Sequence, residues 1–243
     1  MIIDTPTYTV IIPVFNEEDN IEGMISDLQE HLKLKNLSCN IILVNDGSSD
    51  QSKEIITRIS KEQNQSFNIK AIHLEKNSGI GFCYKRALKE VNTPFVTWIP
   101  SDGEIPAEPL VEAMTAASQD KLVISYPTFN RNPRTKTRHL LSKCYTSILN
   151  KTFKLKLTYF NGFTVFPTKA LKKIHLRSDR FAFNAEALIK VLKQTNLDYL
   201  EHPFQLTARN SGKSKALSLA SLTDIVSFYF FTVVEVYRAK GRD

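Results

Sequence analysis

The chain has 243 residues, 42% hydrophobic and 23% charged, a balance that excludes a disordered or fibrous protein and suits a soluble α/β domain with a sizeable core. Its formal net charge of +7 points to an anionic partner: a nucleic acid, an acidic membrane surface or a phosphorylated ligand. Three cysteines, Cys39, Cys83 and Cys144, are odd in number and lack metal-ligand spacing, which fits packing roles in a reducing compartment.

Tyr8 to Val14 reads as a strand, and Ile21, Met24, Ile25, Leu28 and Leu32 recur at steps of three and four, predicting a helix with one buried face. Ile41 to Val44 is the second predicted strand. Asp46-Gly47-Ser48-Ser49 makes a turn with N-cap candidates for a helix carrying Ile55, Ile56 and Ile59 inward. Ile69 to Leu74 is a third strand, Ile80 to Glu90 a helix entered through Ser78-Gly79, and Phe95 to Ile99 a fourth strand halted by Pro100. This alternation predicts βαβ units and a mostly parallel sheet flanked by helices. The four strand ends carry Asn16-Glu17, Asp46, Lys76-Asn77 and Asp102-Gly103-Glu104, and open parallel sheets bind ligands just beyond those ends. Turns and caps also collect Asp, Asn and Gly, so each such residue alone has a purely structural reading.

The second half is less regular. Arg131 to Lys156 interleaves eight basic residues (Arg131, Arg134, Lys136, Arg138, Lys143, Lys151, Lys154, Lys156) with aliphatic and aromatic ones, predicting a basic amphipathic helix. A strand from Tyr159 to Phe166, a helix from Asn184 to Gln194 and a strand from Leu197 to Leu200 follow. The apolar segment Ala216 to Tyr237 is interrupted by Asp224 and Glu235, which makes it an amphipathic or core helix rather than a membrane span. With no basic flank and apolar stretch at the N-terminus, the chain is expected in the cytoplasm, peripheral on the inner face of the membrane.

Asp102 and Glu104, two apart after a buried strand, offer hard oxygen ligands to a divalent cation, Mg²⁺ or Mn²⁺. Gly79-Ile80-Gly81 fails the dinucleotide fingerprint because Tyr84 stands at its last position, and no phosphate loop, nucleophile elbow or zinc HExxH is present.

The stretches "TVIIPVFNEEDNI", "ILVNDGSSDQS" and "EKNSGIGFCYKRALKEVNTPFVTWIPSDGE", with the shorter "RNSGKSKA" later, resemble the family 2 glycosyltransferases, particularly the branch of dolichol and polyprenyl phosphate sugar synthases. The resemblance implies a GT-A type fold over residues 1–215, with a nucleotide-sugar half over about 1–110, an acceptor half over 111–215, and a C-terminal helical extension over 216–243. It implies an inverting transferase with a nucleoside diphosphate sugar as donor. Pro13, Phe15 and Glu17 would line the nucleotide pocket, Val44 and Asp46 would recognise the base, and Lys76 and Gly79 would adjoin them. Asp102 and Glu104 occupy the acidic positions of the DxD motif, with Glu in place of the second Asp. Cys83 replaces the usual Gly or Ala. Arg209 and Lys215 would reach the diphosphate or an acceptor phosphate across Gly212.

A lipid phosphate acceptor is already an anion and needs no general base, whereas a glycan hydroxyl needs a carboxylate, for which Glu186 is the candidate. A first-turn Glu complementing the helix dipole is the structural alternative for Glu186. Asn161-Gly162-Phe163 stands where lipid-phosphate enzymes carry Ser-Gly-Phe. A non-catalytic nucleotide-sugar binding or scaffold protein is the alternative of another class. The basic residues lack an aromatic stacking platform, which argues against nucleic acid. An anionic membrane surface, a second copy of the chain or a membrane-protein partner are the further partners expected.

Overall fold

The computed structural model describes residues 7–62, 67–128, 136–207 and 219–239. The elements are β1 (Tyr8–Val14), α1 (Ile21–Leu34), β2 (Cys39–Asn45), α2 (Ser52–Lys61), β3 (Phe67–His73), α3 (Ile80–Leu88), β4 (Phe95–Trp98), α4 (Ala107–Thr115), β5 (Lys121–Pro127), α5 (Lys136–Phe153), β6 (Thr164–Pro167), α6 (Thr168–Lys172), α7 (Phe183–Gln194), β7 (Asp198–Phe204) and α8 (Leu219–Ala239). They form one seven-stranded sheet in the order β3-β2-β1-β4-β6-β5-β7. Only β6 runs against its neighbours, so the sheet is mostly parallel, as the alternating pattern predicts.

Strands buried on both faces explain the near-continuous apolar runs. In β1 and β2, Val10, Ile12, Val14, Ile41 and Leu43 face one core layer with α1, α2 and α4. Ile11, Ile42 and Val44 face the other, which α3, α5, α6, α7 and α8 cover. The helix α8 contributes Phe228 and Val236 to that second layer, so it is packed against the domain.

Three expectations differ from the structure. The strand expected from Tyr159 begins only at Thr164, because side chains hold the preceding backbone in an irregular path. Asn184 Nδ2 donates to the carbonyls of Phe160 and Gly162, both at 2.8 Å, and Glu201 accepts from the Thr158 amide. The last strand reaches Phe204 through Pro203, tolerated because β7 is an edge strand. Ser48 and Ser49 do not cap α2; the amide of its first residue, Ser52, donates to Asp50 Oδ1 instead. The elements α4 and β5 carry no signal strong enough to be picked out from the sequence.

Gly162 marks the tightest join. A Cβ there would lie 2.2 Å from the Ser125 carbonyl oxygen, which sits on β5. Gly162→Ala therefore forces β5 and the approach to β6 apart, and is expected to lower the unfolding free energy by about 1–3 kcal/mol. A urea midpoint unchanged from wild type would contradict this packing.

Candidate functional site

The C-terminal ends of β3, β2, β1 and β4 lie side by side at one sheet edge. With strands about 4.8 Å apart, the four loops span about 14 Å. The β1 loop turns at Asn16, a non-glycine residue with φ of 55°, and the β2 loop pins it there. The Asn16 amide donates to Ser48 Oγ at 3.1 Å, and Asn16 Oδ1 accepts from the Ser49 amide at 2.9 Å. Glu17 and Glu18 amides donate to Ser52 Oγ and Asp50, while Glu18 Oε2 accepts from the Gln51 amide at 2.9 Å. Neither loop can move without the other.

Asp46, only 3% exposed, closes the β2 end onto the β3 loop. Its two carboxylate oxygens accept from the Ser78 amide at 2.7 Å and the Gly79 amide at 2.9 Å. Cys83 lies beneath it; burial, then the Asp46 charge, push that thiol up, which keeps it protonated. Gly47 and Gly79 have φ of 67° and 100°, and a Cβ on Gly47 would lie 2.6 Å from the Lys76 carbonyl carbon. Both positions therefore require glycine.

The loop after β4 joins on the other side of β1. Ser101 Oγ donates to the Pro13 carbonyl at 2.8 Å, and Asp102 Oδ1 accepts from the Glu104 amide at 3.1 Å. Thr207 donates through its amide to Glu104 O at 3.0 Å and through its hydroxyl to Gly103 O at 2.7 Å. Arg209 and Lys215 lie outside the described residues.

The edge thus brings together Phe15, Glu17, Asp46, Lys76, Gly79, Asp102 and Glu104, but in distinct roles. Phe15, Glu17, Asp102 and Glu104 are half-buried and Lys76 is exposed, so a ligand can meet their side chains. Pro13 and Val44 are buried; Val44 packs in the core and can offer a ligand only its backbone. Asp46 spends its oxygens on the β3 loop, so it does not join Asp102 and Glu104 around a single cation. Among the described residues no group of three or more His, Cys, Asp and Glu could hold a metal. Two adjacent carboxylates nevertheless fit a divalent ion whose other ligands come from phosphate oxygens.

Glu186 lies inside the protein, away from the sheet edge. It is 1% exposed, and its carboxylate accepts from the Arg177 amide at 3.0 Å, the Ser178 amide at 2.8 Å and Lys190 Nζ at 2.6 Å. Burial pushes this carboxyl up, but the Lys190 and backbone donors outweigh it and hold it below the usual range. With its oxygens engaged inside the protein, Glu186 holds the backbone of Arg177 and Ser178 against α7. The Asn16, Ser48, Ser49 and Asp50 lacing carried no sequence signal beyond ordinary turn composition.

Residues 9–175, more than half of the chain, match the family described as Glycosyl transferase family 2. A teichoic acid poly(glycerol phosphate) polymerase of Staphylococcus epidermidis is 34% identical over 97 residues, 40% of this chain and 13% of that protein. A dolichyl-phosphate beta-glucosyltransferase of Trichomonas vaginalis is 23% identical over 251 residues, 96% of this chain and 76% of that one. Among solved structures, glucosyl-3-phosphoglycerate synthase from Mycobacterium tuberculosis, in complex with Mn²⁺, UDP-glucose and phosphoglyceric acid, superposes with a TM-score of 0.71 at 16% identity, covering 94% of this chain and 80% of the other. That likeness gives the fold, of GT-A type. Sequence and architecture agree over the same loops and strands: the chain belongs to glycosyl transferase family 2.

Proposed function

We propose that the protein transfers a sugar, with inversion, from a nucleoside diphosphate sugar to a polyprenyl phosphate. The observation that supports this reading is the row of loops at the ends of β1 to β4, which brings Asp102 and Glu104 to the same sheet edge as the loop that Asp46 fixes. Phe15, Glu17 and Lys76 with the backbone at Pro13, Val44, Asp46 and Gly79 hold the nucleotide. Asp102 and Glu104 hold a divalent cation, which when bound neutralises charge on the departing diphosphate. Arg209 and Lys215, outside the described residues, would by the family resemblance reach the diphosphate or the acceptor phosphate.

An acceptor phosphate oxygen attacks the anomeric carbon as the bond to the donor phosphate breaks, and the electron pair leaves with the nucleoside diphosphate. The protein's part is to orient the two reactants and stabilise the leaving charge. The acceptor is already anionic, so no base is required. The burial of Glu186 in its own ion pair favours this acceptor over a glycan hydroxyl. The relative from Trichomonas vaginalis, named for a dolichyl phosphate, supports it from sequence.

The surface supports a lipid setting. The helix α5 carries Lys136, Arg138, Lys143 and Lys151 and no acidic residue. The two acids of α8 are turned inward: Asp224 accepts from the Ala182 amide, and Glu235 pairs with Arg177 and Lys190. Leu140, Leu141, Ile148, Val226 and Phe230, the last 64% exposed, lie on the outer faces of α5 and α8. No helix among the described residues is long and apolar enough to cross a membrane. An anionic bilayer surface complements such a face, each basic residue adding about 1 kcal/mol.

Nucleotide sugars screened with Mn²⁺ or Mg²⁺ should include one that raises the melting temperature, and Asp102→Asn should lose that shift together with about 10²-fold of turnover. Stabilisation by none would overturn the assignment. Vesicles of phosphatidylglycerol should sediment the protein where phosphatidylcholine does not, and Phe230→Glu with Leu140→Glu should release it. Equal sedimentation with neutral vesicles would refute the charge argument.

A further inference from the structure

We propose that the segment from His175 to Ala182 is a strap that sets the donor loop, and that Glu186, Lys190 and Glu235 are positioning residues acting through it. The inference rests on the reading above, in which the loop at Lys76 to Gly79 lines the donor pocket.

The underside of the strap lies directly on the first turn of α3. Asp179 O accepts from the Phe82 amide at 3.0 Å. A Cβ on Gly79 would lie 2.4 Å from that same carbonyl oxygen, and one on Gly81 would lie 2.6 Å from Ser178 O. Lys85 fastens the contact by pairing with Asp179 Oδ1 at 2.7 Å and donating to Arg177 O at 2.9 Å. Gly79 is also the residue whose amide Asp46 holds. The donor loop is thus gripped from two sides, by Asp46 from β2 and by the strap from across the chain.

The upper side of the strap is held by α7 and α8. Glu186 on α7 receives the Arg177 and Ser178 amides, and Lys190 donates to the His175 carbonyl at 2.8 Å. The Lys190 ammonium, 1% exposed, lies between Glu186 at 2.6 Å and Glu235 of α8 at 2.5 Å. Glu235 reaches the strap itself through Arg177 Nε at 2.6 Å, and Arg177 rests over the Phe231 ring. Removing one carboxylate leaves a buried cation short of a partner and frees the arginine, so the loss is felt first at the strap. None of these three side chains meets substrate; their effect on the reaction passes through the backbone from residue 175 to 182.

The test measures nucleoside diphosphate and Mn²⁺ binding by calorimetry, below the melting transition, on wild type, Glu235→Gln, Glu186→Gln and Ile59→Val. Ile59 lies in the opposite core layer and serves as a control for lost stability. Glu235→Gln should weaken binding about tenfold and raise the donor KM by a similar factor, with kcat and acceptor KM within about twofold of wild type. Ile59→Val should lose stability with affinity intact, and Glu235→Asp should recover part of the affinity. Should Glu186→Gln fail to fold, Glu235→Gln, at a partly exposed carboxylate, decides the matter. Wild-type affinity in a destabilised Glu235→Gln overturns the inference and leaves the site reading standing; a Glu186→Gln that loses kcat alone overturns both the inference and the phosphate acceptor, with the donor site standing. A wild-type protein that binds no nucleotide overturns the site reading, and the strap's role with it.

Discussion

A carboxylate buried to 3% exposure is stable only if its charge is met by donors, and Asp46 meets this condition with the amides of Ser78 and Gly79. Charge-assisted bonds of this kind are about twice as strong as neutral ones. They join the end of β2 to the start of α3 across two neighbouring strands. Gly47 follows from the same join, since a Cβ there would lie 2.6 Å from the Lys76 carbonyl carbon, whereas Gly79 is required by the Asp179 carbonyl oxygen, 2.4 Å from where its Cβ would be. Once that join is made, the loops after β1 and β4 take their positions against it through Asn16 and Ser101.

Four acidic side chains that read alike in the sequence are separated by solvation. Asp46 and Glu186 are sealed in and saturated, so each organises backbone. Asp102 and Glu104 are half-buried at the loop after β4, where a cation and phosphate can reach them. Position along the chain does not distinguish these environments; burial does, 3% and 1% exposed for Asp46 and Glu186 against half-buried for Asp102 and Glu104.

The same logic shapes the C-terminal helix. Its acids face Ala182, Arg177 and Lys190, leaving aromatic and aliphatic side chains outward. An amphipathic helix of ordinary kind would turn its charges to water. Here Glu235 is drawn inward by the buried Lys190 and by Arg177, and Asp224 by the Ala182 amide, which leaves aromatic and aliphatic side chains on the outer face.

Much of the fold was legible in the residues alone. Apolar runs bounded by turn residues gave β1, β2 and β4 because strands buried on both faces must be mostly apolar, β3 shows the alternating burial of an edge strand, and the three-and-four spacing gave α1 because one face must be covered. The motif order across the first 110 residues gave the family, now matched over 9–175. Tertiary structure alone decided the irregular path before Thr164, which Asn184 imposes from 22 and 24 residues away, and the fate of Glu186, whose i+4 partner Lys190 shares its helix but whose Arg177 and Ser178 amides meet it only in the folded chain. Local pattern records what each segment must bury; which polar group meets which depends on contacts between segments remote in sequence, and those exist only in the folded chain.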